Sequence, residues 1–376
     1  MKARIFHIAL FLMLSPAALL RNALGQLEIV EPARDAAVYA DENTAFVARW
    51  LSSSAPDSGQ SALRYVWTSD ADGEIGRGLR ASHRGLSYRT HRITLRAFSG
   101  ETPVATAETS VAVVIRPDQF TLSERTDWEG EFSPSGNRVA YTSYRSGDPE
   151  VWIATVANQA AVRITYKGGM SPTWSPDGQR IAFWSERAGS RHLWLVHVSD
   201  AVRTAVQITS EDGSQWMPAF SPVDQRLAFI SKSGRQTSLM VLSADQPDAG
   251  AELVVGPADF PLFPRWSSDG RSLLFTTYRD TVPAICVIDL EQKSIARISN
   301  PDAEDADISP DGSRLVLVRN GEIWLQSLKS GLERPLTRES SVALSPRFSR
   351  DGEKIIYAST HSGNYDLWLL DLPPEQ

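Results

Sequence analysis

One tetrapeptide pattern, Ser-Pro-Asp-Gly, constrains this fold more than any other feature, because it returns six times between residues 133 and 352. The six copies, several with a substitution, are Ser133-Pro134-Ser135-Gly136, Ser175-Pro176-Asp177-Gly178, Ser221-Pro222-Val223-Asp224, Ser267-Ser268-Asp269-Gly270, Ser309-Pro310-Asp311-Gly312 and Ser349-Arg350-Asp351-Gly352. Successive copies begin 42, 46, 46, 42 and 40 residues apart. This spacing is the length of a four-stranded propeller blade, so six copies predict six blades.

Each copy of this marker turn lies between apolar runs that predict strands. The residue before the turn is aromatic or aliphatic in every repeat: Phe132, Trp174, Phe220, Trp266, Ile308 and Phe348. Two nearly continuous apolar runs follow each turn, as expected for sheets that are buried on both faces, and a short outer strand follows them in the first five repeats. Residues 117–376 are therefore predicted to form an all-β array of four-stranded units.

The sixth repeat has no recognisable outer strand after Asp371-Leu372, whereas a spare strand-like segment, Phe120–Ser123, precedes the first repeat. In the other repeats, 10 or 12 residues separate the outer-strand Thr, Ser or Val from the next marker serine, and Ser123 lies 10 residues before Ser133. The strand near 119–123 is thus predicted to complete the last blade. Such closure would remove an exposed sheet edge.

Residues 27–116 predict a separate small β-sandwich. Short runs with period-2 alternation, such as Thr44–Trp50 and His91–Ala97, are separated by Gly, Ser, Asp and Pro clusters. The segment resembles bacterial immunoglobulin-like and PKD-type modules in Trp67-Thr68-Ser69-Asp70, in the Asp72-Gly73 turn and in the strand after His91. The resemblance implies an immunoglobulin-like sandwich with Trp67 in its core.

The first 25 residues predict a signal peptide. Lys2 and Arg4 precede a mostly apolar stretch, Ile5–Leu20, and Ala23-Leu24-Gly25 provides small residues before a cleavage site at Gln26. An uncleaved anchor, favoured by Arg21, is the alternative. Cleavage predicts a periplasmic or secreted protein without a stable membrane span.

Composition excludes several classes of function. The net charge is −7, and an acidic chain repels phosphate backbones, so nucleic-acid binding is not expected. A single cysteine, Cys286, excludes an internal disulfide, and its place in an apolar run predicts a buried side chain.

The second repeat carries the clearest family resemblance. Its segment Pro172–Phe183 reads Pro-Thr-Trp-Ser-Pro-Asp-Gly-Gln-Arg-Ile-Ala-Phe, and it resembles the WD40-like repeat of TolB-type β-propellers. Ser135, Val223 and the pair Ala306-Asp307 depart from that pattern. The resemblance implies a non-enzymatic scaffold that binds an envelope protein or peptide, although TolB-type proteins carry an α/β N-terminal domain where this chain has the predicted sandwich.

The inner strands of a propeller converge on its central channel, so binding residues are expected there. Aromatic and arginine side chains are the usual anchors of protein interfaces. The candidate channel-mouth residues are Trp128, Glu131, Trp216, Met217, Phe263, Arg265, Asp305, Asp307 and Arg347. The alternative is that Trp128, Trp216 and Phe263 pack between blades.

Two acidic groups leave a calcium site open, although no cofactor is required by the sequence. The first is Glu131, Asp305 and Asp307 in the channel, and the second is Asp70, Asp72 and Glu74 in the sandwich. For the second group, a turn around Asp72-Gly73 is the simpler interpretation.

No nucleophile-elbow, zinc-protease or phosphate-loop motif occurs in the sequence, and His192, His197 and His361 fall outside the inner strands. The sequence therefore predicts a binding protein and not an enzyme. The alternatives are a carbohydrate- or cell-wall-binding protein, with the sandwich as its adhesive module, and a propeller lyase or hydrolase.

Overall fold

The computed structural model describes residues 26–51, 63–199, 204–337 and 341–373. The predicted signal peptide, residues 1–25, lies outside the described residues. The chain forms two compact units, of which the first ends at Val114 and the second begins at Ile115. Apart from two short 3₁₀ turns at Pro247–Ala249 and Pro257–Asp259, the described elements are all β-strands.

The N-terminal unit contains two sheets around one core. Its strands are β1 (Leu27–Glu31), β2 (Ala36–Tyr39), β3 (Asn43–Trp50), β4 (Arg64–Ser69), β5 (Gly73–Arg77), β6 (Arg80–Arg84), β7 (Thr90–Ser99) and β8 (Thr102–Val114). One sheet has the order β1-β3-β6 and the other β2-β8-β7-β4-β5, in which only β2 and β8 are parallel. Alternate residues of both sheets face inwards, and Phe46, Trp67 and Ile93 are completely buried. The indole of Trp67 donates to the carbonyl of Gly78 at 2.8 Å, so its only polar atom is satisfied inside the core.

The second unit begins with a two-residue strand, β9 (Asp118–Gln119), and continues with six four-stranded antiparallel sheets. Sheet 1 contains β10 (Asp127–Phe132), β11 (Arg138–Ser143), β12 (Glu150–Thr155) and β13 (Ala161–Arg163). Sheet 2 contains β14 (Met170–Trp174), β15 (Arg180–Ser185), β16 (His192–His197) and β17 (Val206–Gln207). Sheet 3 contains β18 (Ser214–Phe220), β19 (Arg226–Ser233), β20 (Gln236–Ser243) and β21 (Glu252–Val255). Sheet 4 contains β22 (Pro261–Trp266), β23 (Ser272–Thr277), β24 (Ala284–Asp289) and β25 (Ile295–Arg297). Sheet 5 contains β26 (Glu304–Ile308), β27 (Arg314–Arg319), β28 (Glu322–Ser327) and β29 (Glu333–Pro335). Sheet 6 contains β30 (Ala343–Phe348), β31 (Lys354–Ser359) and β32 (Asp366–Asp371), with β9 as its outer strand.

The marker turn connects the first two strands of each sheet, and in five of the six sheets the marker serine accepts the same backbone amide. In sheet 2, the hydroxyl of Ser175 donates to Asp177 and accepts the amide of Arg180 at 2.9 Å. Gly178 has a φ of 68°, a backbone conformation that glycine adopts without steric cost. Sheet 3, whose turn carries Val223 and Asp224, shifts the pattern, because Asp224 accepts the amide of Arg226 there. The serine and the glycine are therefore repeated because they close the turn.

Apolar side chains of consecutive sheets share clusters, which explains the nearly continuous apolar runs. Ile153 of sheet 1 packs with Trp174 and Phe183 of sheet 2. In the same way, Phe132 of sheet 1 packs with Ile356 of sheet 6. Each inner strand thus contacts the sheet that precedes it in the ring, and β10 contacts β30 and β31 of sheet 6.

In four sheets, the residue two positions after the outer strand carries a hydroxyl that accepts a backbone amide of the third strand at 2.9 Å. The pairs are Thr165 with Val151, Thr209 with Leu193, Ser299 with Ile285, and Thr337 with Ile323. In sheet 6, Thr121 accepts the amide of Leu367 at 2.9 Å. The sequence analysis placed Ser123 at this position, so that register is corrected by two residues. Thr121 lies 12 residues before Ser133, and since both 10 and 12 occur in other repeats, spacing alone could not decide between the two residues.

Asp366, the first residue of β32, fixes the segment after β9. Its carboxylate accepts hydrogen bonds from the amide group of Gln119 at 3.0 Å and from the hydroxyl of Thr121 at 3.3 Å. The side chain of Asp366 is buried, and Phe120 is 1% exposed. These contacts join segments that are almost 250 residues apart in the sequence, since Gln119 and Asp366 are separated by 247.

Candidate functional site

One residue of each inner strand breaks the regular strand geometry. The ladder register shifts three residues before the marker aromatic in all six sheets, for example between Trp216 and Ala219. The six residues at the shift, which we call the bulge residues, have φ between 38° and 55°: Glu129, Ser171, Met217, Phe263, Asp305 and Ser345. Non-glycine residues rarely adopt this conformation, which costs about 1–3 kcal/mol and is common at functional sites.

Proline explains why the ladder can break at this place. Pro172, Pro218, Pro264 and Pro346 directly follow four of the six bulge residues. A proline has no amide hydrogen to donate to a ladder, so within a sheet it is confined to edges and bulges. The bulge in turn directs the bulge residue towards the channel that the six inner strands enclose, where all six bulge residues line a narrow cavity of about 30 Å³. We call this end of the channel the bulge-face mouth.

A second set of residues, two positions further along each inner strand, forms the middle of the channel. These hub residues directly precede the marker aromatic and are Glu131, Thr173, Ala219, Arg265, Asp307 and Arg347. Beyond them, at the level of the marker turns, a wider cavity of about 130 Å³ opens between Pro134, Pro222, Ser268, Pro310 and Arg350. We call this end the turn-face mouth. The two mouths share the side chains of Glu131, Arg265 and Arg347.

The hub holds opposite charges at close range. Arg347 lies 2.9 Å from Asp305, and both side chains are more than nine-tenths buried. Arg265 and Arg347 each donate to the carbonyl of the proline before them, at 2.8 and 2.6 Å. Burial raises the pKa of Asp305 and of Asp307 to about 6, although the Arg265 guanidinium opposes the shift at both carboxyls. Burial also raises the pKa of Glu131.

Three hub side chains accept a hydrogen bond from a backbone amide of the next sheet. Glu131 accepts the amide of Trp174 at 2.9 Å. Thr173 accepts the amide of Phe220 at 3.1 Å, and Asp307 accepts that of Phe348 at 2.9 Å. Three of the six sheet-to-sheet seams are thus fixed by a hub acceptor.

The structure brings seven of the nine candidate residues to the channel. Met217, Phe263 and Asp305 line the bulge-face mouth, Asp307 lines the turn-face mouth, and the three shared hub residues lie between them. Trp128 and Trp216 lie elsewhere. The ring of Trp128 is 6.3 Å from that of Tyr144 and 6.1 Å from that of Tyr365, and Trp216 packs on the apolar cluster of sheets 3 and 4.

The structure also adds channel residues that the sequence analysis did not name. They are the bulge residues Glu129, Ser171 and Ser345 and the turn-face residue Arg350. The prolines after Ser171 and Ser345 were a usable signal, because a proline at one fixed position of a strand repeat indicates a break in the ladder. Arg350 was visible as the residue that replaces the marker proline in the sixth copy.

The hub carboxylates do not fit a calcium ion. Glu131 and Asp307 are engaged by backbone amides, and Asp305 is paired with Arg347. Within the described ranges, no group of three or more His, Cys, Asp or Glu side chains is arranged to hold a metal ion.

The acidic residues of the N-terminal unit hold turns in place. Asp72 accepts the amide of Ser87 at 3.0 Å and its hydroxyl at 2.8 Å. Asp70 accepts the amide of Arg92 at 3.0 Å, and Glu74 is paired with Arg77. This arrangement matches the turn interpretation of the Asp72-Gly73 segment.

Two other residues singled out in the sequence have structural surroundings. His192 is buried between the hydroxyl of Ser190 and the side-chain oxygen of Gln215, each 2.8 Å from a ring nitrogen. Cys286 is buried in β24, and burial raises the pKa of its thiol, which lowers the thiolate fraction.

In the part of the chain that the structure describes, no helix has the length and apolarity needed to cross a bilayer.

The family model described as the TolB β-propeller domain matches residues 115–252 and 226–373. Among curated proteins, the Tol-Pal system protein TolB of Syntrophus aciditrophicus is 38% identical over 77 residues, which are 20% of this chain and 17% of that protein. The aligned segment thus spans about a sixth of that relative's length.

Solved structures agree with the family match at the level of the fold. A structure named for TolB from Agrobacterium tumefaciens superposes with a TM-score of 0.55 at 13% identity, covering 77% of this chain and all of that one. The oligogalacturonate lyase of Vibrio parahaemolyticus superposes with a TM-score of 0.51 at 12% identity, covering 69% of this chain and 94% of that one. At such identities, both likenesses concern the fold alone.

Proposed function

The chain belongs to the TolB β-propeller domain family, and from this premise we propose that it is a non-catalytic binding protein of the bacterial cell envelope. In this proposal, an immunoglobulin-like module, residues 27–116, precedes a six-bladed propeller, residues 117–376, which the segment around β9 closes. The predicted signal peptide would export the chain to the periplasm or beyond. Its partner would be an envelope protein or peptide.

The observation that carries the proposal is the composition of the bulge-face mouth. Met217 and Phe263, from neighbouring sheets, are half-buried there, so part of each apolar side chain faces solvent. Glu129 and Asp305 add carboxylates, and Ser345 adds a hydroxyl that donates to Asp305 at 2.9 Å. Partly exposed apolar side chains beside polar groups are typical of protein-binding patches.

The dimensions of this mouth determine how a partner would bind. The cavity of about 30 Å³ has room for about one water molecule, so a peptide would dock on the rim and not thread through the channel. The bulge residues are fixed by their backbone geometry and by the sheets behind them. A partner would therefore meet a preorganised surface, which reduces the entropic cost of binding.

The hub favours binding over catalysis because its polar groups already stabilise the structure. Glu131 and Asp307 each accept a backbone amide of the next sheet, and Asp305 is paired with Arg347. Displacing any of them would disturb a seam between sheets. A general acid or base needs a free proton path to substrate, which these contacts do not offer.

The test is photo-crosslinking in the cell, with a crosslinking amino acid at position 217 or 263. We expect a specific adduct with one envelope protein, followed by direct binding of that purified protein to this chain. The double variant Met217→Ala, Phe263→Ala should weaken this binding at least tenfold, since two anchors are lost. Adducts with lipid alone, or unchanged affinity of the double variant, would contradict the proposal.

A matched control removes similar apolar surface elsewhere on the same two sheets. Leu253 and Ile295 are exposed on the outer strands β21 and β25. The variant Leu253→Ala, Ile295→Ala should bind the partner as the wild type does. Turnover of a uronate oligosaccharide in the presence of a divalent metal would instead support the lyase alternative.

A second candidate function, carbohydrate binding, rests on a cavity in the N-terminal unit. This open cavity of about 510 Å³ is lined by Thr90, Arg92, Glu108 and Ser110, among others. Hydroxyl and charged groups of both signs can pair with sugar hydroxyls, and the volume suits a small ligand. Glycan-array binding that is lost in Arg92→Ala, Glu108→Ala would support it, whereas an array without signal would reject it.

A further inference from the structure

The seams between sheets differ in one respect that points to a ligand. In each inner strand, the backbone amide of the marker aromatic points away from the second strand. In sheet 1, for example, the amide of Ser133 donates to Arg138, so the next pair of the ladder, Phe132 with Val139, is the one without backbone hydrogen bonds between its partners. Bonded pairs alternate in an antiparallel ladder, so the amide of Phe132 faces the channel.

Three of these six amides donate to a hub residue of the preceding sheet, namely those of Trp174, Phe220 and Phe348. A fourth, the amide of Ile308, lies beside the carboxylate of its own neighbour Asp307 and favours its charged form. The remaining two belong to Phe132 and Trp266. The hub residues that precede them in the ring, Arg347 and Ala219, carry no acceptor, and among the described residues no acceptor is found for these two amides.

Unsatisfied buried amides are rare in proteins, and they need an acceptor from water or from a ligand. Phe132 and Trp266 both line the turn-face mouth. Three guanidinium groups, those of Arg265, Arg347 and Arg350, line it as well. The mouth thus combines two free backbone donors with three cationic side chains.

The carboxylates at this mouth offset only part of its positive charge, because three guanidinium groups face two acids. Glu131 and Asp307 are the two acids that line it, and both already accept backbone amides. Arg350 is exposed at the rim and acts on Glu131 only through longer-range charge attraction, and no ion pair or hydrogen bond of its guanidinium is found in the described part of the chain. Arg350 also replaces the proline found in four other marker turns, so its charge is not required by the turn.

We propose that the turn-face mouth is an anion site that binds a dicarboxylate, with one carboxylate held by Arg350 and the amide of Phe132 and the other by the amide of Trp266 in the opposite sheet of the ring. A planar carboxylate matches the bidentate geometry of a guanidinium, and each backbone amide can donate to an oxygen of one carboxylate. The cavity of about 130 Å³ holds a carboxylate with several carbon atoms. This site lies on the opposite side of the hub from the bulge-face mouth, so its existence does not depend on the proposed function.

The experiment uses the full chain labelled with ¹⁵N-phenylalanine and ¹⁵N-tryptophan, and titrates it with glutarate as the probe. We expect the amide resonances of Phe132 and Trp266 to shift in a saturable way. The amides of Trp174, Phe220 and Phe348, which already have protein acceptors, should shift much less. Glutaramide, the neutral analogue of the same shape, should leave all five unchanged.

Two variants separate the site from general charge attraction. Arg350→Gln should weaken glutarate binding about tenfold, because a charge-assisted hydrogen bond is lost. Arg271→Gln, which removes the same charge from the exposed turn of sheet 4 outside the cavity, should bind glutarate as the wild type does. Arg350→Pro, which restores the residue of the other turns, should lose binding while keeping the thermal stability of the wild type.

Three results would overturn the proposal. The first is the absence of shifts at Phe132 and Trp266 at tens of millimolar glutarate. The second is an equal loss of affinity in Arg350→Gln and Arg271→Gln, which would indicate unspecific charge attraction. The third is tighter binding of inorganic phosphate than of glutarate, which would replace the carboxylate by a tetrahedral anion.

Discussion

The marker serine and the hub residue are only two positions apart in each repeat, yet they differ in how far they are repeated. The serine is present in all six copies, and its hydroxyl accepts the same amide in five of them. The hub position holds Glu, Thr, Ala, Arg, Asp and Arg in turn. The repeated serine therefore closes the turn within each sheet. The hub residue varies, so the contacts between neighbouring sheets at the channel differ from one pair of sheets to the next. The following predictions test this division, from the largest expected effect to the smallest.

The largest loss of stability is expected at sheet 6, because its strands come from two segments that are distant in the sequence. Deleting residues 117–124 removes β9 and the buried ring of Phe120, and leaves the buried Asp366 without Gln119 and Thr121. We expect a loss of at least about 5 kcal/mol of unfolding free energy, measured by urea denaturation. Leu122→Ala, at a side chain that is 81% exposed in the same segment, should change stability by less than about 0.5 kcal/mol. Unchanged thermal unfolding of the deletion variant would refute closure by this segment.

The hub should respond to the loss of one charge more strongly than the surface does. Arg347→Met leaves the buried Asp305 without its partner and should cost about 3–5 kcal/mol. Lys293→Met breaks the exposed pair with Glu252 and should cost less than about 1 kcal/mol. The double variant Arg347→Met, Asp305→Asn should recover part of the loss. Equal losses of unfolding free energy for the two single variants in urea denaturation would show that burial does not make the Arg347–Asp305 pair more important for stability than the exposed pair.

The hub should also give the protein an unusual dependence on pH. Because burial raises the pKa of Asp307 to about 6, from a usual value of 3.8, the folded chain holds a proton there that the unfolded chain has released. Stability should therefore fall as the pH rises through this interval. Asp307→Asn, which keeps an acceptor for Phe348, should remove up to about 3 kcal/mol of that fall.

The check is a series of urea denaturation curves of the wild type and Asp307→Asn across the same interval. Asp305, whose pKa is also raised to about 6, should leave a remaining slope in the variant. The charges of Glu131 and Arg265 act on Asp307 and are present in both proteins. Parallel pH profiles would contradict the buried position of this carboxyl.

The smallest effect is expected at the marker turn of sheet 1. Ser135 stands where four other copies have Asp, and in sheet 2 that Asp accepts the amide of Gln179 at 2.9 Å. Ser135→Asp should therefore stabilise the protein by about 0.5–1 kcal/mol. Asp177→Ser should cost a similar amount in sheet 2. A stabilising effect of both changes would show that the turns are not equivalent.

Much of the fold could be predicted from the sequence because the repeats confirm one another. The marker turn and the apolar runs beside it identify the first three strands of every sheet. The register of Thr121 could not be predicted, since both spacings occur among the repeats. Trp128 and Trp216 were placed at the channel because an aromatic residue near an inner strand can face either the channel or a neighbouring sheet. The bulge beside each of them reverses the expected alternation of sides.

The site was predicted less completely, for a related reason. Sequence alternation identified the hub residues, because they directly precede the marker aromatic. Free backbone amides, such as those of Phe132 and Trp266, carry no signal in their own side chains. They become visible only when the acceptors of the other seams are known.

The way sheet 6 is assembled has a consequence for how the protein is made. The pairing of Gln119 with Trp368 joins residues from opposite ends of the second unit, so it has the largest loop-closure cost of any strand pair there. Folding of this unit should be slow, because the entropy of closing this long loop is lost before the contacts between the paired strands add stability. Until residues near 368 have been synthesised, β9 has no strand to pair with and β10 lacks part of the sheet that packs against it. Chaperone protection would matter most before β9 pairs with β32. A mutation that delays this pairing would reduce the yield of folded protein without changing the native structure.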